Sequence, residues 1–129
     1  MTTVDSIMTR RIVTVEMDDT LLIIRGLFKY LKFHHLLVVD NRKLVGIISD
    51  RDLLRALSPF LGTFSETMHD RETLGRRAHQ IMSRNPVVVH PETEIKTDAN
   101  LLFERNISCL PVVSHKGYIV GDRDSTGYS

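Results

Sequence analysis

Four consecutive residues hold the densest chemistry in this chain: Ser49-Asp50-Arg51-Asp52. A hydroxyl, two carboxylates and a guanidinium follow directly on the apolar run Leu44-Val45-Gly46-Ile47-Ile48. If that run is a strand and a helix opens at Asp50, unpaired backbone N–H groups and the positive end of the helix dipole meet at the junction. Such a place favours an anionic phosphate. Ser49 adds a hydroxyl donor, and Arg51 offers a fork of donors to phosphate oxygens. Asp52 lies one turn on and on the same face as Ser49, where its carboxylate can accept from two vicinal ribose hydroxyls. The same Ser-x-x-Asp spacing is also that of a helix capping box, a structural device worth ~1 kcal/mol. The two roles do not exclude each other.

The elements that must position these residues come in duplicate. Ile7-Met8-Thr9-Arg10 returns as Ile81-Met82-Ser83-Arg84, and Leu36-Leu37-Val38-Val39 as Leu110-Pro111-Val112-Val113. Leu44-Val45-Gly46 returns as Ile119-Val120-Gly121. The period is longer than the ~20–50 residues of a solenoid unit. It fits a duplicated small module whose halves each lack a full core, with function expected in the cleft between the halves.

Each copy predicts the same order of elements. A helical turn ends at the Ile-Met pair, and a short β-branched strand follows at Val13-Thr14-Val15 or Val87-Val88-Val89. A helix comes next, with an apolar face at Leu21, Ile24, Leu27, Phe28 and Leu31, or at Ile95, Ala99, Leu102 and Phe103. Two strands joined by Asp40-Asn41-Arg42-Lys43 then form a hairpin in the first copy. The first copy closes with a helix buried through Leu53, Leu54 and Leu57. Strand, helix, strand, strand, helix predicts an α+β fold with helices covering a small sheet. The boundaries are 1–57 for the first repeat, 58–77 for a charged, exposed helical connector opened by Pro59, and 78–129 for the second.

The 129 residues allow one ordinary domain or two very small ones. No apolar run approaches the ~20 residues needed to span a bilayer and no signal-peptide pattern opens the chain, so a cytoplasmic location is expected. The single cysteine, Cys109, excludes an internal disulfide and a Cys-based zinc cluster; a small buried role is expected for it. Net charge is +1 with both signs interspersed, and no basic stripe points to nucleic acid. The six histidines do not show ligand spacing: His34 and His35 are adjacent, and His69, His79, His90 and His115 are scattered. No metal site is expected. No phosphate-binding loop, Ser/His/Asp set or dinucleotide fingerprint is present, which argues against an enzyme.

Taken together, Ile7-Met8-Thr9, Val13-Thr14-Val15, Leu36 to Asp40, Leu44 to Leu54, Ile81-Met82-Ser83 and Leu110 to Val113 resemble a tandem cystathionine-β-synthase (CBS) domain pair, or Bateman module. The resemblance covers almost the whole chain apart from the connector and the C-terminal tail. It implies two repeats packed as a pseudo-two-fold pair, a non-catalytic regulatory role, and an adenine nucleotide (AMP, ADP or ATP) bound between the repeats. S-adenosylmethionine is a secondary candidate ligand, and no cofactor is implied. Ser49 and Asp52 match the family's Gly-x-x-Ser/Thr-x-x-Asp ligand motif beginning at Gly46. The purine is then expected against Arg11, Ile12, Val13 and His35. The implied partners are a second copy of the chain and an effector protein, with no nucleic acid and no membrane. The alternative is an interaction module that needs no ligand, in which Ser49 and Asp52 act only as a cap.

The second repeat departs from the first after Gly121. Asp122-Arg123-Asp124 echoes Asp50-Arg51-Asp52, but the apolar pair, the hydroxyl residue and the closing helix are missing. A second nucleotide site would rest on Asp124, Val87 and Cys109.

Overall fold

Leu36-Leu37-Val38-Val39, apolar at four successive positions, forms the most deeply buried strand of the first repeat, as a strand covered on both faces must. A computed structural model describes residues 2–10, 12–31, 33–57, 74–105, 107 and 109–124. The expected site residue Arg11 and connector positions 58–73 lie outside the described residues.

The first repeat runs β1 (Thr14–Glu16), α1 (Leu21–Leu31), β2 (His35–Asp40), β3 (Lys43–Ser49) and α2 (Asp50–Leu57). A short helix α3 (Ala78–Ile81) and strand β4 (Ser83–Arg84) follow, and the sheet order is β1-β2-β3-β4. Strand β1 pairs parallel to β2 with Val15 opposite Val38, and β4 closes the other edge antiparallel to β3. The β2–β3 hairpin turns through Asn41 and Arg42, both at positive φ (51° and 69°), the geometry a two-residue turn needs to match strand twist. Leu21 and Ile24 of α1 are fully buried, whereas Leu31 is exposed. In α2 the expected apolar face narrows: Leu53 and Leu57 are buried, but Leu54 is 57% exposed.

The second repeat is built on α4 (Ile95–Glu104), β5 (Cys109–Val113) and β6 (Ile119–Asp124). Strands β5 and β6 are antiparallel, with Cys109 opposite Asp124 and Leu110 opposite Arg123. The expected strand Val87-Val88-Val89 is reduced to one parallel bridge between Val89 and Val112. Val89 N–H donates to Pro111 O, and Val113 N–H donates to Val89 O. Extending this ladder to Val87 would require an N–H from Pro111, which proline lacks. In the first repeat Leu37 stands at that position, and the parallel strand forms.

The apolar face expected on α4 is corrected by the structure. Ala99 and Phe103 are exposed, Phe103 by 88%, and the fully buried position is Asp98. Its carboxylate accepts from Arg123 Nε at 3.1 Å, which allows a charge to occupy a core position.

Contacts divide the chain into two compact units, each drawn from both repeats. One comprises residues 14–40 and 45–84, the other residues 1–13, 41–44 and 85–129. In the first, a Cβ added at Gly46 would lie 2.5 Å from the Met82 sulfur. In the second, a Cβ at Gly121 would lie 2.3 Å from the Thr9 carbonyl oxygen and 3.1 Å from the Met8 sulfur. Each Ile-Met leader thus packs on the hairpin glycine of the other repeat. Met8 also joins Val4, Val89, Leu110 and Val112 in one buried cluster. Among the described residues no helix is long and apolar enough to cross a membrane.

Candidate functional site

The junction of β3 and α2 is made by a reciprocal pair of hydrogen bonds. Ser49 N–H donates to Asp52 Oδ2 at 2.8 Å, and Asp52 N–H donates to Ser49 Oγ at 3.1 Å. This is a capping box with aspartate at its far end, so two of the orphan donors at the helix start are satisfied within the chain. The buried Leu53 and Leu57 hold α2 in place. Each such side chain contributes roughly 1.5–3 kcal/mol of burial.

Two functional groups remain available at this junction. Ser49 Oγ accepts from Asp52, so its own proton is free of that bond and can be donated to an anion. Asp52 Oδ1 lies 3.8 Å from Arg55 Nη1, whose side chain is 78% exposed. At 3.8 Å and with its arginine exposed, the pair is worth little and yields readily to a stronger donor. Asp50, alongside, pairs with His34 Nδ1 at 3.3 Å, again at the surface. Arg51 is exposed.

Of the other expected residues, His35 is half-buried at the start of β2, in the same compact unit as Ser49 and Asp52. Ile12 and Val13 are half-buried and belong to the other unit, just before β1. For the second site, Cys109 and Asp124 are cross-strand neighbours, and Val87 packs on the Val4–Met8–Leu110 cluster. Cys109 is buried, with its thiol 3.9 Å from Asp122 Oδ2.

The echo of Asp50-Arg51-Asp52 in Asp122-Arg123-Asp124 does not carry over into structure. The first triplet opens a helix, while the second is strand throughout. Counted from the two glycines, Asp124 takes the place of Ser49, and Arg123 that of Ile48. No cap can form at that position, because the backbone there is paired in the ladder with β5.

Two groupings escaped the sequence reading. The Asp98–Arg123 ion pair joins residues far apart in the chain, and only the odd charge on an otherwise helical apolar stripe could have hinted at it. His90, Glu92 and His115 also converge, with ligand-capable atoms all within 4.8 Å of one another. Their only sequence signal was the His90-Pro91-Glu92 spacing.

A duplicated α+β module with a capped strand-to-helix junction in its first repeat is the class of protein these features define. The family model described as "CBS domain" matches residues 4–59 and 78–121, and the chain belongs to the CBS domain family. A CBS domain-containing protein of Dictyostelium discoideum is 34% identical over 120 residues, covering 92% of this chain and 82% of that protein. Among solved structures, CBSX2 in complex with AMP is 28% identical with a TM-score of 0.81, covering 97% of this chain and 91% of that one. The CBS domain pair of protein MJ0100, in complex with 5′-methylthioadenosine and S-adenosyl-L-methionine, is 25% identical with a TM-score of 0.80. That match covers 98% of this chain and 91% of the other.

Proposed function

We propose that this chain is a non-catalytic regulatory module that binds an adenine nucleotide at the β3–α2 junction and responds to adenylate energy state. The observation that carries the reading is the Ser49–Asp52 pair, which holds a hydroxyl donor and a carboxylate acceptor in fixed relation at a helix start. Asp52 would accept from the ribose hydroxyls through Oδ1, displacing the weak Arg55 contact. Ser49 would donate to the phosphate, assisted by the helix dipole. The similarity to CBS pairs solved with AMP and with S-adenosyl-L-methionine supports this ligand class. Asp50 and Asp52 put two carboxylates in the first turn of α2, which weighs against dense phosphate charge and favours AMP or an adenosyl ligand over ATP. Leu22, Ile23 and Leu54, each about half exposed, offer apolar surface to a second copy or an effector protein.

A second reading is favoured by the same hydrogen bonds. They satisfy Ser49 and Asp52 without any ligand, as a pure docking module would require.

A thermal-shift titration with AMP, ADP, ATP and S-adenosylmethionine separates the two. The variant is Asp52→Asn, which keeps an acceptor for the Ser49 N–H but removes the charge. A binder gains about 2.7 kcal/mol at a ligand concentration a hundredfold above Kd. That gain in wild type, absent in Asp52→Asn, is the expected result. No shift with any of the four at millimolar concentration would overturn the nucleotide reading and leave the docking module.

A further inference from the structure

His90, Glu92 and His115 lie in the unit that does not contain Ser49 and Asp52, and their arrangement calls for separate explanation. His90 and Glu92 are carried on a tight turn. Thr93 N–H donates to His90 O and His90 N–H to Thr93 Oγ1, both at 3.0 Å, and Asp5 N–H donates to Pro91 O at 3.0 Å. The turn is therefore fixed before any ligand arrives. His115 comes from the β5–β6 turn, its ring stacked on that of His90 with centroids 4.6 Å apart.

The protonation of His90 follows from its partner. Its Nδ1 is 2.8 Å from Val113 O, and a carbonyl only accepts, so Nδ1 carries the proton. In the neutral ring the lone pair is then on Nε2. An imidazole anchored through one nitrogen to a backbone carbonyl, with the other bare, is the usual posture of a metal-ligating histidine. His115 Nε2 meets Glu92 Oε1 in a close hydrogen bond. Glu92 and His115 are exposed, which leaves room for water to complete a coordination shell.

We propose that His90, Glu92 and His115 form a binding site for a divalent transition-metal ion of the zinc type. Two imidazole nitrogens and one carboxylate oxygen are the protein ligands, and water fills the remaining position. Two imidazoles with a carboxylate suit zinc, nickel or copper and not magnesium or calcium, which take oxygen donors. Metal–ligand bonds of ~2.0–2.1 Å in a tetrahedron put ligand atoms about 3.4 Å apart. Closing the present spread of up to 4.8 Å to that value requires the exposed His115 to rotate out of its stack on His90. In the neutral His115 ring the Nε2 hydrogen given to Glu92 moves to Nδ1 by exchange with solvent, which leaves the Nε2 lone pair for the ion. The site does not depend on the nucleotide reading, and each can fail without the other.

Isothermal titration of the full chain with zinc chloride tests the site, with magnesium chloride as the comparison metal. The expected result is one zinc ion per chain and no magnesium binding in the same range. His115→Ala and Glu92→Gln should each weaken zinc by at least about tenfold, while His34→Ala and His79→Ala leave it unchanged. Both test positions are exposed, and Glu92→Gln keeps the shape and the hydrogen-bonding capacity of the side chain, so the fold is retained. Absence of zinc binding in wild type, or unchanged affinity in His115→Ala and Glu92→Gln, would overturn the proposal.

Discussion

Residues 24 and 48 in the first repeat and residues 98 and 123 in the second occupy corresponding places, yet the chain solves them in opposite ways. Ile24 and Ile48 are both fully buried hydrocarbon. Asp98 and Arg123 are a charge pair, Asp98 with no exposed side-chain surface and Arg123 with 17%. Among the described residues, Asp98 Oδ1 has no hydrogen-bond partner, so the pair is only partly satisfied. Apolar burial is tolerant of its neighbours, whereas a buried charge depends wholly on its partner. One backbone plan therefore accepts either solution, but the second repeat is the more fragile of the two.

The sharpest way to break this comparison is Arg123→Leu, which strands the Asp98 carboxylate. Urea denaturation should show a loss of about 3–5 kcal/mol. Copying the first repeat with Asp98→Ile and Arg123→Ile together should return stability to within about 1 kcal/mol of wild type or above it. A double variant as weak as the single one would show that the site cannot accept hydrocarbon, and the equivalence of the two repeats there would fail.

The glycines give a smaller contrast. At Gly121 an added Cβ meets the Thr9 backbone oxygen, while at Gly46 its nearest neighbour is the flexible Met82 thioether. Overpacking costs about 1–3 kcal/mol, and backbone yields less than a methionine side chain. Gly121→Ala should thus lie at the upper end of that range and Gly46→Ala at the lower, as read from denaturation midpoints. The reverse order would mean that the Ser83 carbonyl, 3.0 Å from the Cβ built at Gly46, is the harder obstacle.

The strand-to-helix cap after Gly46 has no equivalent among the described residues after Gly121. Ser49→Ala should cost about 1 kcal/mol through loss of the Asp52 N–H acceptor. Asp124→Ala, at the corresponding place in the second repeat, opens no helix, because the backbone there is strand. Equal losses at the two positions would contradict the difference drawn between helix start and strand. The smallest effect is expected at the hairpin turn. Arg42, held at φ 69°, gains stability when replaced by glycine, by about 0.5–1 kcal/mol, because an L side chain is strained there. A thermal midpoint that falls on Arg42→Gly would show that the arginine side chain contributes more than the strain costs.

Where the elements recur in the order strand, helix, strand, strand, the sequence was a sound guide, because alternation and helical spacing are local properties. The hairpin through Asn41 and Arg42 and the capped start of α2 were legible for the same reason: each is decided within about four residues. The Leu54 and Phe103 positions misled, since periodicity places an apolar stripe but does not say how wide a surface the neighbours will cover. The reading of Val87 to Val89 as a strand missed the proline on its partner. That effect needs knowledge of which residue lies opposite.

The duplication, the α+β class and the Ser49–Asp52 lock were thus written in the sequence alone, because repeats, patterning and capping need only nearby residues. The burial of Asp98 against Arg123, the continuation of Asp122-Arg123-Asp124 as strand, and the convergence of His90, Glu92 and His115 were decided by tertiary structure. Each depends on segments more than ten residues apart being brought to contact distance, and no local pattern encodes which ones will meet.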